Sequence, residues 1–151
     1  MMVLSVFLKM LVFSANWQLT ELERISIFGN LLVLMTGVYL GIKNFKSTIQ
    51  EKTSYLQDVK SGMRIASLYA LFMSAFVYLY YGFIDRSYFV QKAEQRIELL
   101  EQQGIDIEQA NASMELVFTP FFQSTITLMG FILLGSFYAA MIAFLLRKFK
   151  R

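Results

Sequence analysis

No cysteine and no histidine occur in this chain of 151 residues. The first absence excludes disulfides and thiolate chemistry. The second removes the commonest general base near neutral pH and the commonest transition-metal ligand. Together they exclude Ser–His–Asp and Cys–His catalytic sets. The glycine patterns GxGxxG and GxxxxGK(S/T) are missing as well, so neither phosphate cradle is present. Charge is absent over long intervals. There is no Asp, Glu, Lys or Arg in the twenty residues Ile65 to Ile84, in the twenty-six from Phe121 to Leu146, or in the eighteen from Ile25 to Ile42.

What fills those intervals is apolar. Hydrophobic residues make up 56% of the chain, with 15 Phe and 8 Tyr. A soluble domain of this size would expose wide apolar patches. At ~1.5 Å per residue, helices of these lengths suit a hydrocarbon layer of ~30 Å. The expected fold is therefore an all-α integral membrane protein, a single domain over residues 1–151. Its spans fall at about 1–16, 25–42, 65–84 and 121–146. No acid lies in the last three, which argues against a proton-coupled transporter.

The N-terminal stretch MMVLSVFLKMLVFSANW is apolar but interrupted by Lys9. A cleaved signal peptide is one reading, although no basic residue precedes the apolar part. A short first span is the other and is preferred, with Trp17 at the outer interface and Lys9 snorkelling to headgroups. Sixteen residues is short for a span, so either translation begins upstream of Met1 or the lipid is thinned there.

Basic residues orient the chain. The segment 43–64 holds Lys43, Lys46, Lys52, Lys60 and Arg64, and the tail ends in RKFKR, nine in all. The other side holds four: Arg24, Arg86, Lys92 and Arg96. The positive-inside rule then puts both termini and segment 43–64 in the cytoplasm, with 85–120 outside, facing the periplasm if the cell is Gram-negative. Phe45, Ile49, Leu56, Val59 and Met63 form an apolar stripe through the inner segment. It reads either as an amphipathic helix against anionic lipid or as an extension of the spans packing on their own bundle.

The outer segment includes IELLEQQGIDIEQANASMELVFTP, which carries five acids and no basic residue. Asp85 or Ser87 is a candidate cap for a helix striped with Phe89, Ala93, Ile97 and Leu100. Gly104 suits a helix end. A second helix from Asp106 carries Ile107, Ala110, Met114 and Val117, and Pro120 opens the last span. This is a helical hairpin with an apolar face, and Phe89, Ile97, Leu100, Ile107 and Met114 are its candidate contact surface.

Small residues recur every fourth position in three spans: Gly37 and Gly41, then Ala66, Ala70 and Ser74, then Gly135, Ala139 and Ala143. Such stripes let helix backbones approach, within the bundle or between copies. Asn30, Gln123, Thr36, Thr125 and Thr127 are the polar positions in or near the spans. They suit interhelical hydrogen bonds or, less commonly, a substrate path. No catalytic, cofactor or metal residues are expected. The basic residues are juxtamembrane, so nucleic acid is a poor partner beside the lipid bilayer.

Four motifs carry a resemblance: GIKNFK closing the second span, YLQDVKSGMRIA leading into the third, YYGFID ending it, and RKFKR after the last. With them the chain resembles a family of small inner-membrane proteins of the Bacteroidetes type, a domain of unknown function numbered 4199. Arg86 follows the YYGFID Asp where relatives typically have Pro. The resemblance implies a four-span membrane protein and no activity. The expected function is a non-catalytic accessory or assembly subunit working through contacts with a membrane protein or a second copy. The alternative is a small oligomeric transporter or channel.

Overall fold

The computed structural model describes residues 2–15, 17, 23–49, 53–103 and 114–149. Among these the secondary structure is helical, with no strand. The elements are α1 (Met2–Ser14), α2 (Glu23–Thr48), α3 (Tyr55–Leu79) with a π-helical turn (Tyr80–Ile84), α4 (Tyr88–Gln102) and α5 (Pro120–Lys148). Among the described residues, three helices are long and apolar enough to cross a membrane: α2, α3 with its π turn, and α5. The shorter α1 is also apolar.

Local chemistry sets the helix boundaries. Ser54 and Gln57 form a reciprocal capping box at the start of α3. The Ser54 N–H donates to Gln57 Oε1 at 2.6 Å and the Gln57 N–H to Ser54 Oγ at 3.3 Å. This satisfies two N–H groups that a helix start would otherwise leave unpaired. Helix α3 therefore begins well before the uncharged run at Ile65. The inner apolar stripe is divided accordingly: Phe45 lies in α2, while Leu56, Val59 and Met63 lie in α3. Helices α2 and α3 thus extend into the inner segment over residues 43–48 and 55–64, with Leu56 and Met63 exposed.

At α5 the Phe122 N–H donates to Thr119 Oγ1 at 3.1 Å, and Pro120 occupies the first helical position, where no N–H is required. At the end of α3 the Asp85 N–H reaches back five residues to the Tyr80 carbonyl, 2.9 Å, which defines the π turn. The capping expectation after it needs correction. Ser87 holds the N-cap position of α4 without a side-chain cap bond. The buried Asp85 carboxylate instead accepts a hydrogen bond from the Tyr80 hydroxyl at 3.2 Å.

The chain divides into two units, Met1–Phe72 with Leu128–Arg151, and Met73–Thr127. In the first, Leu34, Val38 and Ile42 of α2, Ala66, Tyr69 and Ala70 of α3, and Ala139 and Ala143 of α5 are buried. Its remaining surface is strongly apolar: Phe28 is 64% exposed and Leu133 is 72% exposed. In the second, an aromatic cluster forms the core. Tyr81 lies 4.7 Å, ring centre to ring centre, from both Tyr88 and Phe89, and Tyr80 meets Tyr81 edge-on at 4.9 Å.

Candidate functional site

The first unit is held together along a seam of small residues. Gly135, Ala139 and Ala143 of α5 are all buried. A Cβ built on Gly135 would overlap the Ala66 Cβ, and one on Gly62 would lie 2.8 Å from the Ala139 Cβ and 2.9 Å from Ile42 Cδ1. Glycine is therefore required at both positions for α3 and α5 to approach this closely. On α2, Gly37 is buried, and a Cβ on Gly41 would lie 2.6 Å from Ile65 Cγ1. Ala66 and Ala70 are buried in the first unit, whereas Ser74 belongs to the second and is half-buried. Sequence reasoning did not single out Gly62 as a packing position, although YLQDVKSGMRIA displays it.

A charged node ties the same helices together. The Asp58 side chain is fully buried. Its Oδ2 accepts from Lys46 Nζ of α2 at 3.0 Å and from Arg147 Nε of α5 at 2.9 Å. Its Oδ1 accepts from Thr53 Oγ1 at 2.7 Å. Arg147 also donates to the Thr53 carbonyl, and the Tyr55 hydroxyl donates to the Ala140 carbonyl at 3.2 Å. A buried carboxylate is tolerated only when paired and hydrogen-bonded, and Asp58 is both. Lys46, Asp58 and Arg147 come from GIKNFK, YLQDVKSGMRIA and RKFKR, so three of the four motifs meet at one carboxylate. None of these three residues stood out as a site in sequence, where Lys46 and Arg147 count simply as inside-positive charge. The Asp58–Arg147 bond joins residues 89 apart in the chain, and nothing local signals it.

A second polar cluster links α1, α2 and α3. Ser5 Oγ and Tyr69 Oη are 2.7 Å apart, and both residues are buried. The Tyr69 hydroxyl also lies 3.4 Å from the Asn30 carbonyl. The buried Asn30 Oδ1 has no hydrogen-bond partner among the described residues. Of the other polar positions, Thr125 and Thr127 donate to carbonyls of their own helix, and Thr36 is exposed.

The second unit carries a groove of about 390 Å³ lined by Phe89, Val90, Ala93, Met114, Glu115 and Phe118. It lies between α4 and the helical turn at residues 114–117. Phe89 and Leu100 are buried and Ile97 is half-buried. Ile107, Gly104 and most of the expected second hairpin helix lie outside the described residues. Among the described residues no cluster of acids has the arrangement to hold a metal ion.

The chain belongs to the family described as "Protein of unknown function (DUF4199)", whose family model matches residues 1–148. No curated protein and no solved structure matches the chain.

Proposed function

We propose that this protein is a multi-pass inner-membrane protein that acts through contacts, as a non-catalytic accessory or assembly subunit. The observation that carries the reading is how the polar groups are used. In the first unit the Asp58 node and the Ser5–Tyr69 pair are spent on joining helices. The second unit meanwhile presents an open groove with mostly apolar walls. Side chains spent on joining helices are not free to line a polar substrate path, and of the buried polar groups in this unit only Asn30 Oδ1 is left without a partner among the described residues.

Helix α1 serves in this reading as a short fourth span that stays with the bundle. Its Ser5 partners a buried tyrosine, and a Cβ on Gly29 would lie 2.9 Å from Leu8 Cδ1, a close fit of α1 on α2. Both termini then lie inside, and the acidic 97–120 stretch lies outside as part of a helical hairpin. A reporter active only in the periplasm should work when fused at Gln103 and be silent at Arg151. The opposite pattern would invert the topology.

The contact reading is tested by purification from native membranes in mild detergent, comparing wild type with Val90→Glu. Val90 lines the groove and is exposed, so the charge should spare the fold. A stoichiometric companion, or a second copy, should be recovered with wild type and lost with the variant. No companion, or the same companion with both, would count against it. A small oligomeric transporter or channel is the second reading, favoured by the unpartnered Asn30 Oδ1 in the first unit. Solute flux into liposomes holding the pure protein, abolished by Asn30→Leu, would select it instead.

A further inference from the structure

A narrow crevice of about 60 Å³ opens in the first unit between Tyr39, Lys43 and Lys46 of α2 and Leu146 of α5. Tyr39, Lys43 and Lys46 follow one another at helical spacings of four and three, so they share one face of α2. Lys43 is exposed, with its ammonium 6.0 Å from the centre of the Tyr39 ring. Lys46 reaches the Asp58 carboxylate but keeps 17% of its side chain exposed.

The charges here do not cancel. Lys43, Lys46 and Arg147 bring three positive charges against the single negative charge of Asp58. The C-terminal ends of α2 and α5 offset roughly half a charge each and the N-terminus of α3, with Asp58 in its first turn, adds roughly half, which leaves about one and a half positive charges over. Asp58 is fully buried, so an approaching anion meets the lysines and not the carboxylate. The walls beside the lysines are the Tyr39 ring and Leu146.

We propose that this crevice binds the phosphate of an anionic phospholipid, with Lys43 and Lys46 at the phosphate and an acyl chain against Tyr39 and Leu146. The proposal rests on the membrane reading above. Lysine ammoniums act as point charges and suit a single phosphate, and basic pockets between membrane helices recur as headgroup sites. Free phosphate shares the charge chemistry but gains nothing from the apolar walls.

The test uses the full chain purified in detergent. It is titrated with phosphatidylglycerol, phosphatidylcholine or inorganic phosphate, and retained lipid is read by native mass spectrometry. Phosphatidylglycerol should be retained in preference to phosphatidylcholine. Lys43→Gln should weaken that retention roughly fivefold, the scale expected for one lysine at an anionic surface. Lys60→Gln, at an exposed position of α3, should leave it unchanged. Equal retention of the two lipids, or Lys43→Gln matching wild type, would overturn the site. Displacement of the lipid by millimolar inorganic phosphate would overturn the lipid as its ligand. Alkaline extraction of membranes separates the two layers of inference. Release of the chain would sink the membrane reading and this site together, whereas a chain that resists extraction yet does not discriminate lipids overturns only the site.

Discussion

Exchanging Gly135 for alanine adds one carbon to α5 where it meets α3. The new Cβ would overlap the Ala66 Cβ, with Leu34 Cδ1 3.8 Å away. The Ala66 methyl has no rotamer through which to yield, so one helix must shift. Overpacking of this kind costs about 1–3 kcal/mol. Alanine in place of glycine inside a helix gains about 0.5–1 kcal/mol. The difference leaves Gly135→Ala destabilised by about 1 kcal/mol, within a span of roughly 0–2.5 kcal/mol. Gly130 is the matched control in the same helix, because a Cβ there meets nothing within 4 Å. The same chemical change at Gly130 should therefore raise stability. Thermal unfolding in mild detergent, followed by circular dichroism or by loss of the monodisperse peak, should give Gly130→Ala a midpoint above wild type and Gly135→Ala one below it. The double variant Ala66→Gly with Gly135→Ala returns the space and should recover most of the loss, a coupling detectable by a double-mutant cycle. If Gly135→Ala melts with or above Gly130→Ala, the seam is not close-packed and the reasoning fails.

Ala139→Leu adds three heavy atoms at a fully buried position and should cost about 1–3 kcal/mol. Met141→Leu, at a half-buried position, should change little, and equal melting of the two would refute the seam at that point. Asp58→Asn keeps the shape of the node but removes its charge. It should cost about 1–3 kcal/mol, less than the loss for a fully buried pair, because Lys46 and Arg147 keep 17% and 35% side-chain exposure. A wild-type melting curve for that variant would show the node to be ornamental. Ser5→Ala leaves the Tyr69 hydroxyl with only its 3.4 Å approach to the Asn30 carbonyl and should cost about 1 kcal/mol. No change in melting would mean that α1 is not held in the bundle.

The residues alone determine that this chain is helical and that three of its helices can cross a membrane. In an apolar layer only helices and closed barrels satisfy their own backbone hydrogen bonds, and uncharged runs of this length fit a helix and are too long for a barrel strand. The family was legible too, because its motifs lie in short contiguous stretches. Parts of the packing were visible as spacing: Gly135, Ala139 and Ala143 can be read as a stripe, since periodicity along one helix is a property of one segment. What faces that stripe is a property of two segments. Only the tertiary structure sets Gly62 against Ala139 and Gly135 against Ala66. The same holds for Asp58. In sequence it is one acid among lysines, as compatible with solvent as with anything else. Folding buries it and brings Lys46 and Arg147 to a single oxygen. An ion pair is chosen by distance in space, and a low-dielectric site makes that choice compulsory, because a buried charge without its partners would not be tolerated.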